Sequence, residues 1–380
     1  MKVDIVAPGD LGESERRQWA AFQDADDRMR SPFQSVEFTL AAARHRPRTR
    51  VAVISDGGEV VGFLPFERGP LGEATSPAAV LNEGQGVIHR QGYEWDAREL
   101  LDRAGIGVWE FDQVVGSPTA FEPYTTFRAE SPAMDLTDGF ETYLAGARAR
   151  SSRIKDLSRR RRRLGREHGP VRFEFAADDP VAMRRVMAWK SDQYRRTARP
   201  DRFAEPWIRA LVEDVATLRT PGCSGVVSLV WAGDTLVAGH VGLRSQRVLP
   251  TWFPAYDPDF SRYSPGLLLH VEMAEAGAAD GLECIDLGRG PKDYKDWLAD
   301  HVHEVWEGRV VTRTGAGLLH WARRVPLREV RNTVVSNRRL YDVADRTLRT
   351  YASVKAAALK SSALKSSALK SSARPEESVR

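Results

Sequence analysis

TWFPAYDPDFSRYSPGLLLHVEMAEAGAADGLECIDLGRG, residues 251–290, holds the order of events on which the fold turns. An apolar run ends at Tyr256, a loop follows, and Ser264 with Pro265 opens an apolar stretch of helical length that reaches about Ala279. Glu283-Cys284-Ile285-Asp286-Leu287 then reads as a strand closing in Gly288-Arg289-Gly290. Strand, capped helix and strand in that order predict an α/β unit. The first amides of such a helix lack intrahelical partners and sit at the positive end of its dipole. The turn from Tyr263 through Ser264, Pro265 and Gly266 is therefore a candidate cradle for a pyrophosphate or carboxylate, although any well-capped helix starts in the same way.

Working outward, the same succession occurs twice. VVSLVWAGDTLVAGHVGL, Val226 to Leu243, is a hairpin pattern around Gly233-Asp234, and VAVISDGGEVVGFLPF, Val51 to Phe66, repeats it around Asp56-Gly57-Gly58. The first is followed by the strand RVLPTWFPAY, the helix from Pro265 and the strand GLECIDLG; the second by VLNEGQGVIH, a helix over Trp95 to Ala104 and GIGVWEFD. The spacing is an internal duplication with a period of about 175 residues. Two related α/β halves are expected, with mixed, mostly antiparallel sheets and flanking helices. The boundaries fall at 1–138 and 139–320, the second half including an Arg-rich helix at 148–168. A second amphipathic helix is expected around Ala182 to Arg196 and a last strand in HEVWEGRVV at 303–311. Residues 321–354 have the spacing of a basic carboxyl-terminal helix, and 355–380 form a disordered Lys/Ser repeat tail whose Leu residues never share one helical face.

Ten Trp and 42% hydrophobic residues supply a core and exclude global disorder. No apolar run is long enough for a transmembrane segment, and MKVDIVAPGD is a poor signal peptide, so a cytoplasmic protein is expected, peripheral at the inner membrane face at most. Cys223 and Cys284 allow no disulfide scaffold and no cysteine zinc site and read as small buried hydrophobes. The net charge of +4 is uneven: residues 148–172 carry +9, the tail from Lys355 carries +4, and the remainder is 4 − 9 − 4 = −9. This is a basic stripe on an acidic body; Arg159 to Arg163 suit phosphates of a nucleotide, RNA or anionic lipid, or simply pair with their own acids.

Asp286 stands at a strand end, where α/β sheets place ligands. Gly288 to Asp293 does not complete G-x-G-x-x-G, which excludes a dinucleotide site; the chain also lacks a phosphate loop and a nucleophile elbow. His240, in an apolar strand, is either a hydrogen-bonded core residue or a general base. His301 and His303 share a strand face without further ligands nearby, so no metal is expected.

The words WKSDQYRRT (189–197), WFPAYDP (252–258), YSPG (263–266) and DLGRGPKDYK (286–295), with SPFQSVEF (31–38) and GFLPFERG (62–69), resemble the CelD-like branch of the GNAT acyltransferases. That branch is linked with bacterial cellulose and exopolysaccharide synthesis and is related to the Fem-type aminoacyltransferases. The resemblance spans roughly 15 to 315. It implies tandem GNAT-like halves and acyl transfer from acyl-CoA (acetyl-CoA) to a small-molecule or sugar-linked amine, without a metal. It places the donor's pyrophosphate at Arg262, Tyr263, Ser264, Pro265, Gly266 and Leu267, where Arg262 matches the family pattern while Pro265 and Leu267 replace small residues. For amide formation from a thioester, Asp286 or His240 is the base and Tyr294 the acid, with Lys295 neutralising phosphate or an acidic acceptor. Lys190 and Tyr194 frame the acceptor, together with Trp252, Tyr256 and Arg289 as substrate-binding residues. Fem-type relatives imply an alternative aminoacyl-tRNA donor, which the Arg stripe would suit; a non-catalytic accessory protein of polysaccharide assembly is the rival from another class. The first half carries Gly92-Tyr93-Glu94-Trp95 where the second has YSPG, and its carboxylate argues for a scaffold or acceptor wall.

Overall fold

A computed structural model describes residues 1–312 except 71, 117, 118 and 291. The expected helix at 321–354 and the tail at 355–380 lie outside the described residues. The first half runs β1 (Lys2–Val6), α1 (Glu13–Ala25), α2 (Val36–His45), β2 (Thr49–Asp56), β3 (Glu59–Arg68), β4 (Glu73–Thr75), β5 (Ile88–His89), α3 (Ala97–Arg103), β6 (Val108–Val114) and β7 (Thr125–Asp135). It is followed by α4 (Phe140–Arg150), α5 (Ser152–Lys155), α6 (Leu157–His168), β8 (Val171–Glu174), α7 (Pro180–Arg196) and α8 (Pro206–Ala216). The remainder is β9 (Ser224–Ala232), β10 (Thr235–Arg244), β11 (Val248–Pro250), β12 (Phe253–Tyr256), α9 (Pro265–Ala279), β13 (Cys284–Asp286), α10 (Asp293–Leu298) and β14 (His301–Val311). Both expected hairpins form, β2 with β3 and β9 with β10, and Gly57 and Gly233 adopt the left-handed conformation their turns require.

Two sheets result. The larger has the order β1-β2-β3-β4-β6-β14-β7-β13-β11 with β5 beside β3; the smaller is β12-β10-β9-β8. All pairings are antiparallel except β4 with β6 and β11 with β13. This is the tandem GNAT-like α/β architecture, with helices flanking mostly antiparallel sheets. The last strand, β14, lies between β6 and β7, and β7 in turn pairs with β13, so one sheet runs without a break across residue 138. A hydrophobic cluster also crosses that position, joining Phe33, Phe38 and Leu81 to Val186, Trp252 and Phe253.

Three local expectations are corrected. The strand RVLPTWFPAY is two strands: β11 pairs with β13 in the large sheet and β12 with β10 in the small one. The kink is a tight turn in which the Trp252 amide faces the Pro250 carbonyl at 2.9 Å, while the Thr251 amide donates to the Asp286 carbonyl at 2.8 Å. The Arg-rich helix is three pieces, because Ser151 leaves the helical conformation and caps α5 through its hydroxyl. Ser264 precedes α9 in a left-handed conformation and makes no side-chain cap. Cys223 is buried as expected, whereas Cys284 is half-buried with its Sγ 3.3 Å from His303 Nε2. No helix among the described residues is long and apolar enough to cross a membrane.

Gly308 sits where the ladders of β14 to both neighbours shift register, and a Cβ there would collide with the Tyr124 carbonyl, the Phe111 ring and Thr125. Two of these are backbone and cannot turn aside. Gly308→Ala is expected to cost about 1–3 kcal/mol, read by urea denaturation, with a single transition because β14 ties both halves into one sheet.

Candidate donor cleft

The kink at Thr251-Trp252 opens the site. Once β11 stays with the large sheet and β12 leaves with the small one, the space between them is filled by side chains or by ligand. Trp252 fills its inner end: the main-chain N–H donates to His240 Nε2 at 3.2 Å and the indole N–H to the Leu81 carbonyl at 3.0 Å. Beyond it, the end of β12, the start of α9, the face of α7 and the loop after β13 enclose a cavity of about 550 Å³.

The cavity wall includes Arg153, Lys190, Arg199, Arg289, Lys292 and Lys295 and, among the described residues, no carboxylate. Burial pushes the Lys190 ammonium down to about 8, and burial does the same for Lys295. Lys190 Nζ donates to the Pro254 carbonyl at 3.1 Å, and Lys295 Nζ to the carbonyls of Gly288 and Arg289. The hydrogen bonds of these two lysines thus go to neutral carbonyls. At the start of α9 the Pro265 nitrogen carries no hydrogen, and the amides of Gly266 and Leu267 make no hydrogen bond among the described residues. Two donors, with the helix dipole behind them, face the cavity.

His270, 4% exposed, lines the same wall. Its Nδ1 donates to the Gly266 carbonyl at 2.7 Å, which leaves Nε2 a bare, buried acceptor. Burial pushes its imidazole down to about 4, so it stays neutral. Its ring centroid lies 5.5 Å from that of Tyr294, whose phenol burial pushes up to about 12.

Of the residues expected from sequence, the cavity brings together Lys190, Tyr194, Tyr256, Ser264, Pro265, Gly266, Leu267, Arg289, Tyr294 and Lys295. It does not bring His240, Trp252, Asp286, Arg262 or Tyr263 to its wall. His240 is fully buried; burial pushes it down to about 3, and it pins Trp252. Asp286 accepts from the Ser131 hydroxyl at 2.6 Å and the Gly288 amide at 2.8 Å, closing the loop behind the cavity. The Tyr263 hydroxyl turns toward α6, meeting Glu167 and, at 3.0 Å, His168. Arg262 pairs with the same Glu167. Arg289 reaches the wall, yet its guanidinium is tied to the Asp112 carbonyl and to Glu307 at 3.0 Å.

The Arg stripe is largely engaged. Arg159 and Arg160 pair with Asp156, Arg161 with Glu272 and Arg163 with Glu167. Sequence reasoning missed Arg153, Arg199, Lys292 and His270 on the cavity wall; an apolar helix with one histidine a turn after Pro265-Gly266 was the available signal for the last. Glu83, between the fully buried Asn82 and Gly84, was missed too. It is half-buried and makes no hydrogen bond or ion pair among the described residues. Burial, then the Asp286 carboxylate, pushes its carboxyl up to about 7.

Residues 151–296 match the family described as Acetyltransferase (GNAT) domain. The structure is similar to the crystal structure of FemX, at 10% identity over 84% of this chain and 99% of that one, with a TM-score of 0.56. It is also similar to a conserved protein of unknown function from Bacteroides thetaiotaomicron VPI-5482, at 12% identity over 79% and 98% of the two chains, with a TM-score of 0.50. A tandem GNAT protein from the clavulanic acid biosynthesis pathway aligns over 82% and 98% at 12% identity, with a TM-score of 0.47. At these identities the likeness is one of fold. No curated protein sequence matches the chain. Residues 151–296 thus match a GNAT acetyltransferase domain, within a chain of tandem GNAT-like fold.

Proposed function

We propose that the chain transfers an acyl group from acyl-CoA to an amine, with the cleft at the β11–β12 kink as the donor site and residues 139–320 as the catalytic half. The observation that carries this reading is a cavity of about 550 Å³ whose described wall has six basic side chains, of which Arg289 is paired with Glu307, two helix amides without a hydrogen bond, and no carboxylate among the described residues. Such a wall favours a donor with several phosphate charges. Gly266 and Leu267 would hold the diphosphate through their amides, with Arg199 and Lys292 as neutralising charges. The bare His270 Nε2 would accept an amide N–H of the donor's pantetheine arm. Lys190 and Tyr194 would frame the amine, and Tyr294, kept protonated by burial, would give a proton to the departing thiolate. The likeness of residues 189–197 and 286–295 to the CelD-like branch is what points to an acceptor in envelope polysaccharide synthesis, with the first half as its scaffold.

The Arg stripe favours the aminoacyl-tRNA donor less, since four of its five consecutive arginines are already paired within the chain.

Acetyl-CoA at a hundred times its Kd is expected to add about 2.7 kcal/mol to the stability of the full chain, seen as a thermal shift. An absent shift, together with salt-dependent binding of tRNA, would replace the donor. Arg199→Ala and Lys292→Ala are each expected to weaken acetyl-CoA about tenfold, or about 1.4 kcal/mol, by isothermal titration calorimetry. Lys190 and Lys295 must be charged to attract phosphate, and both titrate at about 8. Affinity is therefore expected to hold below pH 8 and to fall as the pH rises through it; an affinity that is flat from pH 7 to 9.5 would remove both lysines from the donor site.

A further inference from the structure

Beside the cleft the amino-terminal half meets Trp252 and Gly288 through a short segment, Leu81 to Gln85. It is fixed at both ends. The Leu81 carbonyl receives the Trp252 indole, the Asn82 side chain spans the Pro77 carbonyl and the Gly84 amide, and Gln85 exchanges two hydrogen bonds with Asp112. Only glycine fits at position 84, because a Cβ there would strike Ser31. In the middle of this rigid segment stands Glu83, without a hydrogen bond or ion pair among the described residues. It faces Gly288: a Cβ on that glycine would lie 3.9 Å from Glu83 Oε2 and 4.0 Å from Lys295 Nζ. The carboxylate and the ammonium thus flank one gap without closing it.

We propose that Glu83, supplied by the amino-terminal half, is the general base that takes the proton from the acceptor ammonium. This rests on the acyl-CoA reading above. Glu83 takes one proton from R–NH3+; the freed amine attacks the thioester carbonyl, the C–N bond forms, and the C–S bond breaks. The second nitrogen proton leaves with the departing thiolate as thiol, through Tyr294, and Glu83 returns its proton to water. Four residues compete for the role. Asp286 is already an acceptor for the Ser131 hydroxyl and the Gly288 amide; His240 at about 3 and His270 at about 4 are too weak near neutral pH, whereas Glu83, without a hydrogen bond among the described residues, stands at about 7. The groups facing Glu83 account for that value. Asp286 on β13 raises it, while Arg202, Lys295 on α10 and Lys190 on α7 lower it, and Tyr194 and Tyr294 stay neutral beside it.

The test uses the full chain, wild type and Glu83→Gln, with acetyl-CoA and a panel of primary amines including glucosamine, read by thiol release from pH 5.5 to 9 and by calorimetric acetyl-CoA binding. The expected result is acetyl-CoA affinity unchanged within twofold, thiol release at least 100-fold lower in Glu83→Gln, and an acidic limb near pH 7 in wild type that the variant lacks. Glu83→Asp should retain part of the rate with that limb. Equal release by the two chains, at whatever level, overturns the role of Glu83 while intact wild-type binding leaves the donor site standing. Loss of acetyl-CoA binding in Glu83→Gln alone overturns it as well, by making Glu83 a structural residue. Failure of the wild type to bind acetyl-CoA overturns the donor reading and, with it, the base.

Discussion

One hydrogen bond between a backbone amide and a neutral imidazole holds the two sheets apart. Trp252 N–H donates to His240 Nε2 at the residue where the strand changes sheets. The bond requires a lone pair on that nitrogen, which only the neutral ring has. Complete burial supplies that condition by holding His240 far below its ordinary protonation range. With the amide shared between this nitrogen and the Pro250 carbonyl, β12 need not continue the ladder of β11, and the strand can leave the large sheet. The direction of β12 then sets the start of α9, and with it where two free amides point. His240 is in this sense a positioning residue, and its chemistry is that of an acceptor.

The electrostatics divide cleanly between two basic regions that look alike in composition. On α6 the arginines meet Asp156, Glu167 and Glu272, which turns a +9 segment into a clamp on the front of α9. Glu167 is the centre of that clamp: hydrogen bonds from Arg163, then from Tyr263, lower its carboxyl to about 2. In the cleft the reverse holds. Lys190 and Lys295 are desolvated and donate to carbonyl oxygens, with Glu83 near both and Asp286 near Lys295 but neither forming an ion pair with them. Desolvated cations that form no ion pair are costly to fold.

The duplicated hairpins, the helix from Pro265 and the strands at 284–286 and 301–311 were legible because each rests on local signals: turn glycines, a proline at the first helical position and alternation of apolar residues. Their mutual placement was not. The break between Pro250 and Phe253 leaves the apolar pattern of RVLPTWFPAY intact, since both pieces are buried, and the cause lies in His240, twelve residues earlier. Likewise, Tyr263 looks like part of a phosphate loop, yet its partners Glu167 and His168 lie about a hundred residues upstream. Arg153, Arg199 and Lys292 come from three separate elements and share a wall only after folding. Local chemistry located the site, and long-range pairing decided which of its residues face inward.

The two halves are also bound to each other through the large sheet. β14 is inserted between β6 and β7, so the sheet of the second half cannot close without strands from the first. Leu81, on the segment between β4 and β5, holds the Trp252 indole and thereby steadies the kink from the far side. A rigid segment that must pass so close to the cleft brings its neighbours with it. Asn82 and Gln85 are buried and saturated with hydrogen bonds, which leaves Glu83 as the residue of that segment free to meet the cations opposite. The two halves thus differ in what they bring here: the second supplies the amides and cations of the cavity wall, and the first supplies the segment that holds the Trp252 indole and carries Glu83 beside Gly288.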